Sequence, residues 1–243
     1  MAALSVIQRA VRARISRLGL RPGAIVLDAP TGEGALAEAL AQDGYEVHAL
    51  DLDPRAQVWL GDRFQRADLN QPLPYPDGRF ELAVCVEGVE HLENPWGFLR
   101  ELRRVLAPGG GLVLTTPNTV ALRSRVRFLG SGFYHTDKTP LDERARHPLH
   151  HIGLRTFPEW RYMLHTSGFR IGEIRASHVK PVSYLYAPWA PWMWLYTAIA
   201  FRKEKDPERR ARNLQMRSEL LSAGLLFGEN LLLVAFAIEA PPL

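Results

Sequence analysis

VLDAPTGEGALA, residues 26–37, is the stretch whose reading decides the fold. An apolar run ends in Asp28, a turn carries Gly32 and Gly34, and a helical Ala/Leu pattern follows. Small residues let the backbone approach a ligand, and a helix N-terminus offers unpaired N–H groups. Strand, glycine turn and helix in this order make the ligand-binding corner of a βαβ unit. Pro30 removes one backbone donor and fixes its own φ. We expect a trans-compatible peptide there, an altered turn geometry and retained binding, because Gly32 and Gly34 remain.

Outward from this corner, strand-like and helix-like runs alternate. AIVLDA (24–29) reads as a strand, GALAEALAQDG (34–44) as a helix, EVHALD (46–51) as a strand and PRAQVWLGDR (54–63) as a helix. FQRAD (64–68) reads as a short strand, FELAVCVE (80–87) as a strand, NPWGFLRELRRVLAPGG (94–110) as a helix with a Pro-Gly-Gly stop, and GLVLTTP (111–117) as a strand. Such alternation predicts an α/β fold with a mostly parallel sheet. Residues 118–156 show little periodicity. PEWRYMLHTSG (158–168) reads as a helix, FRIGEIRA (169–176) as a strand and LLLVAFAIE (231–239) as the final buried strand.

The acids sort the ligands. Residues 32–37 match the dinucleotide form GxGxxA, which keeps an NAD-dependent oxidoreductase open as an alternative. Asp28 at a strand end, however, suits a cationic donor with a free amino group, and Glu33 in the turn would repel phosphates. Asp51 ends the next strand, where a carboxylate can accept both ribose hydroxyls. Asp68 is placed to accept from an adenine amine.

The runs VLDAPTGEG, ALDLDP and ADLNQPLPYPDGRFELAVCVEGVEHLENPWGFLRELRRVLAPGGGLVLTTPN together resemble the cofactor-binding half of class I S-adenosylmethionine (SAM)-dependent methyltransferases. The likeness covers residues 22–118 and is similar to the bacterial group that includes ubiquinone-pathway O-methyltransferases. Weaker similarity continues through HHIGLRTFPEWRYMLHTSGF. The resemblance implies a Rossmann-like, seven-stranded, mostly parallel sheet with the last strand antiparallel and helices on both faces. It implies SAM as cofactor, with Asp28, Thr31, Gly32, Glu33 and Gly34 at its methionine part. Asp51 would hold the ribose, Leu52 would pack on the adenine, Asp68 and Leu69 would bind the adenine edge, and Glu87 would line the methyl-transfer side. The family usually has Gly where this chain has Pro30.

Glu87, Glu90 and His91 of EGVEH directly follow the fourth strand, where open α/β sheets place their ligand crevice. His91 is a candidate base, or alternatively a helix-opening residue that pairs with neighbours. Similarity to ubiquinone-pathway and small-RNA 2′-O-methyltransferases extends the idea. His151 in HHIGLRTF sits where the RNA enzymes carry a further histidine, which makes it a second catalytic candidate. Glu87, Glu90, His91 and His151 then form a candidate divalent-metal set.

The 243 residues carry a net charge of +4 and an ordinary globular composition. There is no specific nucleic-acid signal. Cys85 is the only cysteine, which excludes an internal disulfide, fits a reducing cytoplasm and reads as a small buried hydrophobe. Residues 1–21 interleave five arginines with apolar residues, an amphipathic helix and not a signal peptide. YLYAPWAPWMWLYTAIAF (184–201) is apolar, rich in Trp and Tyr, and followed by a basic amphipathic helix, PERRARNLQMRSELLSAGLL (207–226). A membrane surface contacted through 184–222, a cap over a greasy acceptor and a dimer interface are the readings of this segment. The division expected is a single domain: 1–21, a SAM-binding half 22–118, an acceptor-side segment 119–177, an insertion 178–226 and a final strand 227–243. The function expected is methyl transfer, O-methylation favoured, to a hydrophobic small-molecule or lipid-linked acceptor. The place expected is the cytoplasm, at the inner face of the membrane. A non-catalytic, membrane-associated relative is the remaining alternative.

Overall fold

The computed structural model describes residues 3–56, 60–137, 139–144 and 147–238. One seven-stranded sheet has the order β3-β2-β1-β4-β5-β7-β6. β1 (Ile25–Asp28), β2 (Glu46–Asp51), β3 (Phe64–Arg66), β4 (Phe80–Val86) and β5 (Leu106–Pro117) are parallel. β7 (Asn230–Ala237) runs antiparallel between β5 and β6 (Phe169–Ala176). The chain leaves β1 toward β2 and β3, then returns to β4 on β1's other side. That reversal opens a crevice at the carboxyl ends of β1 and β4.

The central strands are apolar on both faces because helices cover both. Leu27, Ala83, Leu112 and Leu233 pack under α3 (Pro95–Val105) and α5 (Phe157–Thr166), with Phe98, Leu102 and Trp160 in the core. Val26, Leu82, Val113 and Val234 face α1 (Val6–Ile15) and α2 (Ala35–Gln42) through Val11, Ile15, Leu36 and Leu40. α1 starts with a capping box between Ser5 and Gln8. Two of its arginines are ion-paired: Arg12 with Asp43 at 2.6 Å, and Arg14 with Glu173. Cys85 is buried in the β4 core, as a small hydrophobe.

Several local expectations change. The helix over 94–110 stops at Val105, because Leu106 already pairs with Phe80 and Pro108 and the following glycines cannot continue a helix. Residues 54–63 hold 3-10 turns at Pro54–Ala56 and Gly61–Arg63, and 57–59 lie outside the described residues. The Ala29–Pro30 peptide is cis, not trans; a prolyl amide has only a small preference between the two. The aperiodic segment contains a helix, α4 (Leu122–Ser131).

Between β6 and β7 lie a 3-10 helix (Pro181–Trp189), α6 (Ala190–Phe201), α7 (Pro207–Leu220) and α8 (Ala223–Phe227). The basic helix expected over 207–226 is thus two helices, the second capped by Ser222. Buried Glu229 joins this insertion to the body. It accepts from Lys180 Nζ at 2.8 Å, Arg123 Nη1 at 3.2 Å and Ser183 Oγ at 3.4 Å, and pairs with His135 Nε2 at 3.3 Å. Among the described residues, no helix is long and apolar enough to cross a membrane.

Candidate active site

A cavity of about 1100 Å³ opens at the carboxyl ends of β1, β2 and β4. Asp28, Thr31, Gly32, Asp51, Leu52, Asp68, Leu69, Glu87 and His91 all line it. The doubly wound topology explains this: each of these residues sits at a strand end or in the turn that follows it.

Asp28 ends β1 and is 1% exposed. Thr31 Oγ1 donates to its Oδ2 at 2.8 Å, while Oδ1 has no partner among the described residues. Burial pushes this carboxyl up to about 7, against the Thr31 hydroxyl, and the nearby Asp51 charge adds to the shift. A buried carboxylate with one free oxygen, facing a cavity, is a receptor for a cation. Gly32 and Gly34 both take positive φ in the turn, which a side chain there would oppose. The Gly32 amide donates to Asp51 Oδ2 at 2.7 Å, and the Asp53 amide to Asp51 Oδ1 at 2.9 Å. Leu52 lines the cavity with an apolar side chain, 47% exposed. Asp68 accepts from the Asn70 amide and from Asn70 Nδ2. Glu33 turns away to Arg55 Nη1 at 2.5 Å, and Gly34 begins the α2 cap.

Pro30 has a partner that the sequence did not announce. A Cβ on Gly88 would sit 2.3 Å from Pro30 Cδ, so the ring of the first turn fills the space a side chain at 88 would need.

Glu87 follows β4 with φ of 49°, a left-handed conformation unusual for a glutamate. Asn230 Nδ2 donates to its Oε2 at 2.5 Å; Oε1 is buried without a partner among the described residues. Burial raises this carboxyl to about 7, opposed by Thr115 and Asn230. Glu90 lies in the following 3-10 turn (Val89–His91) and is fully buried; among the described residues neither oxygen has a partner within hydrogen-bond geometry, though the nearby Thr116 hydroxyl opposes the upward shift of the carboxyl. Burial first, and Glu87's charge second, hold it well above the carboxylate range.

His91 Nδ1 lies 3.1 Å from the His150 carbonyl, so Nδ1 carries the proton and Nε2 the lone pair. Burial lowers its basicity, against the His150 carbonyl. His151 Nδ1 lies 2.8 Å from Asp137 Oδ1, and the two imidazoles are 4.9 Å apart between centroids. Gly153 sets this approach: its amide donates to the Glu90 carbonyl at 2.8 Å, and an added Cβ would stand 3.2 Å from that oxygen.

Of the four residues read as a metal set, Glu90, His91 and His151 bring ligand atoms within 4.8 Å of one another. Glu87 lies outside that group and is held by Asn230. Sequence reasoning did not single out Asp137, Gly153 and Asn230. Their only signal is spatial, since Asn230 meets Glu87 across 143 residues. A second, smaller cavity of about 190 Å³ lies on the His151 side, walled by Phe133, Tyr134, Asp137, Leu141 and Leu154.

Comparison with known proteins gives a consistent result. A family described as a methyltransferase domain matches residues 4–174. A demethylmenaquinone methyltransferase of Tropheryma whipplei (strain Twist) is 35% identical over 109 residues, covering 42% of this chain and 46% of the relative. A ubiquinone biosynthesis O-methyltransferase of Xanthomonas campestris pv. campestris (strain B100) is 33% identical over 124 residues, covering 46% and 51%. The chain thus spans about half the length of these relatives. A SAM-dependent methyltransferase structure from Archaeoglobus fulgidus superposes with a TM-score of 0.57 at 18% identity, over 96% of this chain and 94% of the other, which establishes the shared fold.

Proposed function

Because the chain belongs to the class I SAM-dependent methyltransferase family, we propose that it transfers the methyl group of SAM to an oxygen of a small hydrophobic or lipid-linked acceptor. The observation that carries this reading is the unpartnered Oδ1 of buried Asp28 beside Asp51 and Asp68. Carboxylates at the ends of adjoining strands suit a donor with an amino group, a ribose and an adenine, and repel a pyrophosphate. We read the chain as one domain, with the donor half in 22–118 and the acceptor side in 119–177. The partner we assign to residues 184–222 is a membrane surface.

Bound in the large cavity, SAM supplies a methyl group on a sulfonium, already activated for in-line displacement. What remains for the protein is alignment, exclusion of water and a proton acceptor. Asp28, Thr31 and the Gly32–Gly34 turn would hold the methionine end; Asp51 would hold the ribose; Leu52, Asp68 and Leu69 would hold the adenine. His91 Nε2 would take the acceptor's hydroxyl proton as the oxygen–methyl bond forms and the sulfur–methyl bond breaks, its electron pair leaving on the thioether of S-adenosylhomocysteine. Glu87 shapes the transfer side.

A second reading is favoured by Glu90, whose two oxygens are buried without hydrogen bonds beside His91 and His151. Glu90, His91 and His151 fit a divalent cation, with Asp137 orienting His151 as an outer partner. A cation there would polarise the acceptor hydroxyl, and His91 would then be a ligand instead of the base.

Calorimetry with SAM, S-adenosylhomocysteine and NAD tests the main reading. Binding of the first two is expected; binding of NAD alone would overturn it.

A further inference from the structure

We propose that an anionic lipid bilayer seats on a face built jointly from α4 and the insertion, so that the end of α4 lies at the bilayer surface. The inference rests on the membrane reading of residues 184–222 and extends it to a helix outside that segment.

α6, APWMWLYTAIAF, has no charged residue and none of its residues is buried. A helix that is apolar all round ordinarily lies inside protein or lipid. Twelve residues make about 18 Å of helix, too short for the roughly 30 Å of a hydrocarbon core. Lying in an interface is what remains, and the tryptophans and tyrosines of this segment suit that depth. The preceding 3-10 helix adds Leu185, 76% exposed.

α4 continues this face. It packs beside the 3-10 helix, and Arg125 Nη1 reaches Met193 Sδ of α6 at 3.4 Å. Its last turn exposes Phe128 and Leu129, the latter 77% exposed. Phe128 stacks on Tyr134 at 4.8 Å, and Tyr134 is a wall of the small cavity beside His151. These contacts link α6, through α4, to the rim of that cavity.

Charge selects the occupant. Arg202, Lys203, Lys205, Arg209, Arg210 and Arg212 are exposed at the end of α6 and along α7; they outnumber Glu204, Asp206 and Glu208 interleaved with them, of which Glu208 pairs with Arg212 at 3.6 Å. Arg217 of α7 lies over the Trp194 ring at 5.7 Å, tying the basic helix to the aromatic one. Anionic headgroups complement this set. A second copy meeting the same face about a twofold axis would bring like charges together.

The test is flotation of the full chain, without SAM, on vesicles of phosphatidylcholine alone and of phosphatidylcholine with phosphatidylglycerol. Binding to the mixed vesicles is expected, with loss in high salt. Leu129→Glu and Leu185→Glu should each lower the bound fraction at least about 5-fold, since a charge must enter the apolar layer. Both positions are exposed, and melting curves would verify folding. Arg17→Glu, at the amino-terminal end of the sheet, should bind as the parent does. An environment-sensitive dye on Ser131→Cys, selective because Cys85 is buried, should shift to the blue on mixed vesicles, whereas a dye on Arg17→Cys should not. A chain that never floats with anionic vesicles, a Leu129→Glu variant that floats undiminished, or a dimer dispersed by Leu129→Glu without vesicle binding would overturn the proposal. Calorimetry with SAM on the same protein judges the methyltransferase reading separately.

Discussion

The Gly32 amide donates to Asp51 Oδ2 at 2.7 Å, so the first glycine of the turn and the carboxylate ending β2 are joined. With Asp53 holding the other oxygen, the Asp51 carboxylate is oriented in advance. Preorganisation of this kind lowers the ordering cost of binding. Asp51→Ala should therefore abolish SAM binding in calorimetry, and Asp51→Asn should weaken it strongly by presenting a donor where an acceptor is needed. Unchanged affinity would move the ribose contact elsewhere.

Asp28→Asn should make the ligand-free chain more stable at neutral pH while removing SAM binding. The carboxyl sits at about 7 when folded, against an ordinary value of 3.8. Between these values the folded state holds more protons than the unfolded one. Stability from Asp28 is thus complete below about pH 4 and is lost as pH rises through 7, by on the order of 4 kcal/mol. Thermal melts from about pH 5 to 8 should fall more steeply for the parent than for the Asn variant. Equal slopes would deny Asp28 this role.

Both of those residues were legible from strand ends and spacing alone, as were the succession of the strands along the chain through β5 and the glycine turn. What was not legible depends on contacts remote in sequence. α4 escaped notice because its arginines interrupt the apolar pattern and only one side of it, with Leu122 and Ser124, is buried. The stop of α3 was misplaced because Leu106 is claimed by Phe80, a pairing that local propensity does not contain. His151 was suggested only through likeness to relatives. Its partner Asp137 and the Gly153 approach are tertiary facts.

Gly88→Ala should destabilise the fold by roughly 1–3 kcal/mol, the usual cost of forcing a methyl into a packed contact. At this chain length each kcal/mol lowers the melting temperature by about 2–4 °C. The new Cβ meets the Pro30 ring, so SAM affinity should fall as well. A variant with parental melting and affinity would mean that the ring yields freely.

Cobalt titration followed by its visible absorption should report the Glu90, His91 and His151 group. Glu90→Gln and His151→Ala should each weaken cobalt binding at least about 10-fold, while Asp137→Asn should have a smaller effect through the orientation of His151. Absence of a cobalt band in the parent, with activity untouched by chelator, would leave His91 as the base and remove the cation.

Glu229 bears on how this protein can be altered as a whole. One carboxylate serves Lys180 and Ser183 from the insertion, Arg123 from α4 and His135 from the loop beyond it. Burial alone would raise it, yet its cationic neighbours bring it below its ordinary value. The insertion is therefore not a cassette. Excising it would remove two of the four partners of a buried anion next to the loop that leads to the second cavity, and grafting it onto a relative would require the recipient to provide that anion and its sockets. Transplants that carry Arg123, His135 and Glu229 along with residues 180–227 should fold; transplants of the segment alone should not.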